Sequence, residues 1–125
     1  MRPAVPEQQL SHFDLAEALS RLGGDSALLA QIASLFVHET RTQLPALRIA
    51  IEARDAPSIE HQAHSLKGSV ANFGAKDAFG LAQTLERRGR QRDMTGVDEV
   101  FIALDRSVGL LIRELESVFQ GKHAE

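Results

Sequence analysis

Apolar residues recur at intervals of three and four along most of the 125-residue chain, the spacing of amphipathic helices rather than the alternation of strands. No sustained period-two stretch and no Asn-Gly or Asp-Gly hairpin turn interrupts that pattern. A short first helix is predicted from Asp14 to Leu22. Asp14 suits its N-cap, Glu17 three residues later suits a capping box, and Gly23-Gly24 supplies the stop. Asp25 can cap a second helix with apolar positions at Leu28, Ile32, Leu35 and Phe36, then Leu44, Leu47 and Ile51. Pro45 lies inside this pattern, where it removes one N–H and crowds the carbonyl of Arg41. A kink or a break is expected near residues 40–45, and the pattern does not choose between them.

Asp55-Ala56-Pro57 marks a turn, with Pro57 in the first turn of a third helix. Its stripe is Ile59, Ala63, Leu66, Val70 and Phe73, and Gly74 is placed for a left-handed cap. A fourth helix from Ala75 to Gln91 or thereabouts puts Ala78, Ala82 and Leu85 on one side. A fifth, from near Gly96 to Phe119, carries Val97, Val100, Phe101, Leu104, Val108, Leu111, Leu115 and Val118, with Gly121 as its stop. The fold class implied is all-α, an antiparallel four-helix bundle with a short additional N-terminal helix as lid or extension. Residues 1–12, with Pro3, Pro6 and the polar Glu7-Gln8-Gln9, are expected to be a flexible tail, 13–120 the bundle, and 121–125 a C-terminal tail.

Composition narrows the chemistry. The chain has no cysteine, which removes disulfides, thiolate metal sites and cysteine nucleophiles. Its formal charge is −3 and Phe is its only aromatic, so neither a basic field nor a stacking platform favours nucleic acid. No apolar run approaches the roughly 20 residues that span a bilayer, and Met1 to Pro6 lacks the apolar core of a secretory signal. A cytoplasmic protein without direct membrane insertion is expected, and a monomer is the default because a bundle buries its stripes internally.

On the third helix, with the apolar stripe at zero, His64 points roughly 140° away, Lys67 about 80°, Gly68 about 180° and Ala71 about 120°. The histidine is aimed at solvent, Lys67 lies one turn along, and Gly68 and Ala71 shave the surface beside them. Glycine in a helix interior costs about 1 kcal/mol relative to alanine. On an outer face core packing cannot be its reason. Either another surface approaches the helix here, or the glycine and histidine are incidental.

The segment Ala63-His64-Ser65-Leu66-Lys67-Gly68-Ser69-Val70-Ala71-Asn72-Phe73-Gly74-Ala75 closely resembles the signature of histidine-containing phosphotransfer (HPt) domains. Leu81 to Glu86 is similar to that family's next helix, and Phe13-Asp14 through Gly24-Asp25 with Leu35-Phe36 and Glu39 to its opening helices. The resemblance spans residues 13–119. Val70, bulkier than the residue often found there, and Pro45 depart from it.

The resemblance implies a phosphorelay intermediate without kinase activity of its own. His64 would take a phosphoryl group from the aspartyl phosphate of one response-regulator receiver domain and pass it to the aspartate of another. Neutral imidazole is a competent nucleophile near neutral pH, and phosphoryl transfer needs positioning and charge neutralisation above all. Lys67 would offset phosphoryl charge; Gly68, Ala71 and His61 would belong to the docking face. Glu86 would accept a hydrogen bond from His64 Nδ1 and leave Nε2 free, or else be a rim charge, with Gln83 as the alternative partner. No cofactor is expected on this chain, Mg²⁺ being the receiver's.

Other features have plainer readings. His61 and His64 are three apart, a spacing found in metal sites, but nothing completes a ligand set, so no metal is expected. His12 and His38 stand outside any motif. The run Arg87-Arg88-Gly89-Arg90-Gln91-Arg92 suits the negative end of a helix dipole, or steers toward an acidic receiver pocket. A bundle that binds receivers without relaying phosphate is the alternative function. The chain can be a free-standing shuttle or one domain of a hybrid histidine kinase, which would place it beside a membrane.

Overall fold

A computed structural model describes residues 11–120; residues 1–10 and 121–125, with most of the expected tails and the Gly121 stop, lie outside the described residues. Five helices follow one another: α1 (Leu15–Arg21), α2 (Ser26–Glu52), α3 (Ala56–Ala71), α4 (Lys76–Gln91) and α5 (Val97–Gln120). Three begin at an aspartate whose side chain accepts from a backbone N–H three residues on. Asp14 accepts from Glu17 at 3.0 Å, Asp25 from Leu28 at 2.9 Å, and Asp55 from Ser58 at 3.3 Å. Each such cap stabilises its helix by about 1 kcal/mol. Gly23, Gly24, Gly74 and Gly96 all have positive φ at the loops between helices.

Short loops make consecutive helices antiparallel neighbours. Helix α2 packs on α3 and α5, and α4 packs on α3 and α5, closing a four-helix ring with α1 against its outside. The α3 stripe read from sequence is the buried one: Ile59, Ala63, Leu66, Val70 and Phe73. On α5, Val97, Leu104, Val108, Leu111 and Leu115 are buried, while Val100, Phe101 and Val118 are half-buried.

Helix α2 departs from the expected stripe. Its buried stripe is Leu29, Ala33, Phe36 and Thr40, one position round from the predicted Leu28, Ile32 and Leu35, and Leu28 and Leu35 are exposed. Two apolar stripes share this helix, and Phe36 decides between them by packing on Phe73, with ring centroids 5.0 Å apart. At Pro45 the helix does not break. Arg41, whose carbonyl loses its partner, lies on the exposed side where water can replace the bond, and Leu47, Ala50 and Ile51 beyond it are buried.

The entry to α1 also differs. The capping box is half made: Glu17 leaves the Asp14 N–H, which donates instead to Phe73 O at 2.8 Å, and pairs with Arg21 at 3.4 Å. Ser11 and His12, read as the end of the tail, are held to α5. The Glu114 carboxylate accepts from Ser11 N (3.1 Å), Ser11 Oγ (3.3 Å), His12 N (2.9 Å) and Phe13 N (2.8 Å). Phe13 then plugs the end of the bundle between Phe73 and Phe119, centroids 6.0 and 6.2 Å away. Among the described residues no helix is long and apolar enough to cross a membrane.

Candidate functional site

The site lies on the seam between α3 and α4, and a glycine sets the width of that seam. A Cβ on Gly89 would stand 2.6 Å from Glu60 N and 2.8 Å from Ala56 O, so the two backbones touch there. Extending the stripe Ala78, Ala82, Leu85 by four residues reaches Gly89; the signal was present in the sequence. One turn nearer the loop, α3 presents His64 and Lys67 and α4 presents Glu86.

His64 is 66% exposed at its side chain, whereas Glu86 is 7% exposed. Glu86 Oε2 lies 2.8 Å from His64 Nδ1, and Glu86 Oε1 lies 2.7 Å from Lys67 Nζ. Arg90 completes the cluster, 3.2 Å from Glu86 Oε2 and 3.2 Å from Glu60 on α3. Glu86 is thus no rim charge. It is buried beneath the histidine, and one carboxylate serves both Nδ1 and the Lys67 ammonium. Gln83, the alternative partner, is exposed, and no hydrogen bond joins it to His64.

The hydrogen bond from Lys67 holds the Glu86 carboxyl below its usual range; burial opposes this, and the bond to His64 adds to it. An ionised carboxylate only accepts, so Nδ1 must carry the hydrogen. In the neutral ring Nε2 then keeps its lone pair, on the exposed side of the imidazole.

Gly68 is exposed, and a Cβ there would meet nothing within 4 Å, so the fold itself does not require this glycine. Ala71 is half-buried one turn on, beside a small cavity also lined by Gly74, Ala75 and Phe79. His61 is exposed on α3, one turn before His64. Among the described residues no three histidine or acidic side chains gather as a metal site.

The arginine run divides its work locally. Arg88 pairs with Asp93 at 2.7 Å, Arg90 joins the seam, and Arg92 ends α4 with φ of 55°. Phe79, which sequence reasoning did not place at the site, has no local motif to mark it, and Arg90 stood out only as part of the arginine run. Both face α3 from α4, at −7 and +4 from Glu86, the helical spacing of a shared face.

A family model described as Hpt domain matches residues 31–122. The crystal structure of histidine-containing phosphotransfer protein B (HptB) from Pseudomonas aeruginosa PAO1 is similar in fold, with a TM-score of 0.77 at 24% identity over 84% of this chain and 91% of that one. No curated protein sequence gives a significant match.

Proposed function

The chain belongs to the Hpt domain family, and from that premise we propose that it is a histidine phosphotransfer intermediate in a multistep two-component phosphorelay. The observation that carries the reading is the 2.8 Å contact between buried Glu86 and Nδ1 of a largely exposed His64. It orients the ring, assigns the hydrogen to Nδ1 and turns Nε2 outward.

In the proposed reaction the Nε2 lone pair attacks phosphorus of a receiver's aspartyl phosphate. The N–P bond forms as the P–O bond breaks, and the aspartate leaves with that electron pair. The ring gains positive charge, which Glu86 offsets through the Nδ1–H bond. Lys67, 2.7 Å from Glu86, stands one helical turn from His64 and can turn to the phosphoryl oxygens. The reverse attack by a second receiver's aspartate passes the group on. Mg²⁺ belongs to the receiver in this scheme, and this chain contributes no cofactor. Gly68, Ala71 and His61 form the docking face beside the histidine.

The test is label transfer from a receiver charged with a small phosphodonor, comparing wild type, His64→Gln and His61→Gln. Acid-labile, base-stable label absent only from His64→Gln is the expected outcome. Binding without label across a broad receiver panel would replace this reading with that of an interaction module. Label lost only with His61→Gln would move the site.

A further inference from the structure

Lys67 has a second neighbour besides Glu86. Its Nζ lies over the ring of Phe79, 5.8 Å from the centroid. That is within the roughly 6 Å at which an ammonium is attracted to an aromatic face. Phe79 and Glu86 are seven residues apart on α4, two turns along one face, and Lys67 reaches across from α3 between them. Its side chain is only 21% exposed. Phe79 is half-buried and packed against the core, so the ring is a fixed surface rather than a mobile one.

We infer that Phe79 is a positioning residue for the Lys67 ammonium in the phosphotransfer reaction; the inference rests on the relay reading above. A lysine stem is long and loses much rotamer freedom when it is fixed. With the Nζ over an aromatic face the side chain stays largely covered while its head stays charged. Glu86 alone draws the ammonium into the seam. The ring supplies a second attraction on the side away from that carboxylate, so leaving Glu86 for a phosphoryl group does not release Lys67 into solvent. The ammonium is thereby preorganised for the charge it must meet. Phe79 touches neither the histidine ring nor the phosphoryl group in this scheme and acts only through Lys67.

The experiment compares Phe79→Leu, which keeps apolar bulk but has no π face, with Phe79→Tyr, which keeps the face. Both are made with Lys67 present and in a Lys67→Met background. Transfer from a charged receiver should slow about two- to fivefold in Phe79→Leu, the scale of a cation–π contact near a surface. Phe79→Tyr should restore it, and with Lys67→Met the three residues at 79 should be equivalent. The Lys67 side-chain methylenes of the unphosphorylated wild type should show an upfield ring-current shift by NMR that Phe79→Leu abolishes. Equal slowing in the Lys67→Met background would make Phe79 a packing residue and overturn the inference, as would an unchanged rate in Phe79→Leu. Absence of label on wild-type His64 would instead sink the relay reading, and the role of Phe79 with it.

Discussion

Alanine at three helix-interior glycines should have effects of opposite sign, set by what surrounds each one. At Gly89 the added methyl would stand 2.6, 2.8 and 3.0 Å from Glu60 N, Ala56 O and Glu60 Cα. Favourable carbon contacts lie near 3.5–4.0 Å, so the shortfall is about half an ångström to 1 Å. All three atoms are backbone, and no rotamer change relieves them; α3 must move away from α4. Overpacking of this kind costs about 1–3 kcal/mol, and the clash with rigid backbone favours the upper part of that range. The gain in helix propensity is about 1 kcal/mol, leaving a net loss of about 1–2 kcal/mol. At Gly68 and Gly80 a Cβ meets nothing within 4 Å, and only the propensity gain remains. Urea and thermal melts should therefore show Gly89→Ala less stable and the other two more stable, each by about 4 °C per kcal/mol for a domain of this length. Receiver transfer separates the stabilised pair. Gly68→Ala should transfer more slowly because its methyl stands on the proposed docking face, and Gly80→Ala should be unchanged. A Gly89→Ala protein as stable as wild type would refute the close seam, and wild-type transfer by Gly68→Ala would refute the docking explanation.

The Glu86 carboxyl is held below its unfolded value of about 4.3, so its stabilisation is present above that pH and is lost as pH falls through the folded value. Urea midpoints of Glu86→Gln should accordingly fall less steeply than those of wild type on the acid side, and parallel curves would contradict the Lys67 pairing. Glu114→Ala removes the acceptor of four hydrogen bonds. A bond to a charged group contributes about 1.5–3 kcal/mol net when it is lost outright. The two to Ser11 are exposed and the other two only part-buried, so water takes over much of the acceptor's role. A net loss of about 2 kcal/mol is expected, read by urea melts, with hydrogen-exchange protection of the Phe13 amide lost. Pro45→Ala restores an N–H inside α2 and removes a ring clash. It should raise stability by about 1–2 kcal/mol in the same melts, and a loss would show that the helix is shaped around the proline.

Helix α3 was legible because everything that defines it is local. Asp55 and Pro57 begin it, one apolar stripe runs its length, and Gly74 ends it. Helix α2 carries two competing stripes at the same spacing, and of the more hydrophobic one Leu28 and Leu35 are exposed while Ile32 is half-buried. Phe36 against Phe73 settles the phase, a contact 37 positions apart that periodicity does not contain. Likewise Glu114 meets donors 101 to 103 residues away, so no window along the chain could pair it with Ser11, His12 and Phe13. The position of Glu86 came from family resemblance, but its burial and double use came only from the seam. His64 was legible as an outward residue because its angle follows from its own helix.

The charges in the seam bear on why a histidine proposed to relay phosphate should sit over a carboxylate. Two acids, Glu60 and Glu86, face two bases, Lys67 and Arg90. The cluster has no surplus positive charge waiting for a phosphoryl group. In the proposed relay Lys67 would be shared between Glu86 and the incoming oxygens, and the phosphorylated state would be stabilised only modestly. An intermediate requires this, since a deeply stabilised phosphohistidine would accept the group and not release it. Glu86→Gln isolates the effect, because a glutamine side chain still accepts from Nδ1–H but carries no charge. With Lys67 and Arg90 then in excess by one, the phosphohistidine should live longer and transfer onward to an acceptor receiver should slow. Hydrolysis of labelled protein alone gives the lifetime, and mixing with an uncharged receiver gives the onward rate. A shorter lifetime in Glu86→Gln would mean that the carboxylate chiefly supports the positive ring rather than competing for Lys67.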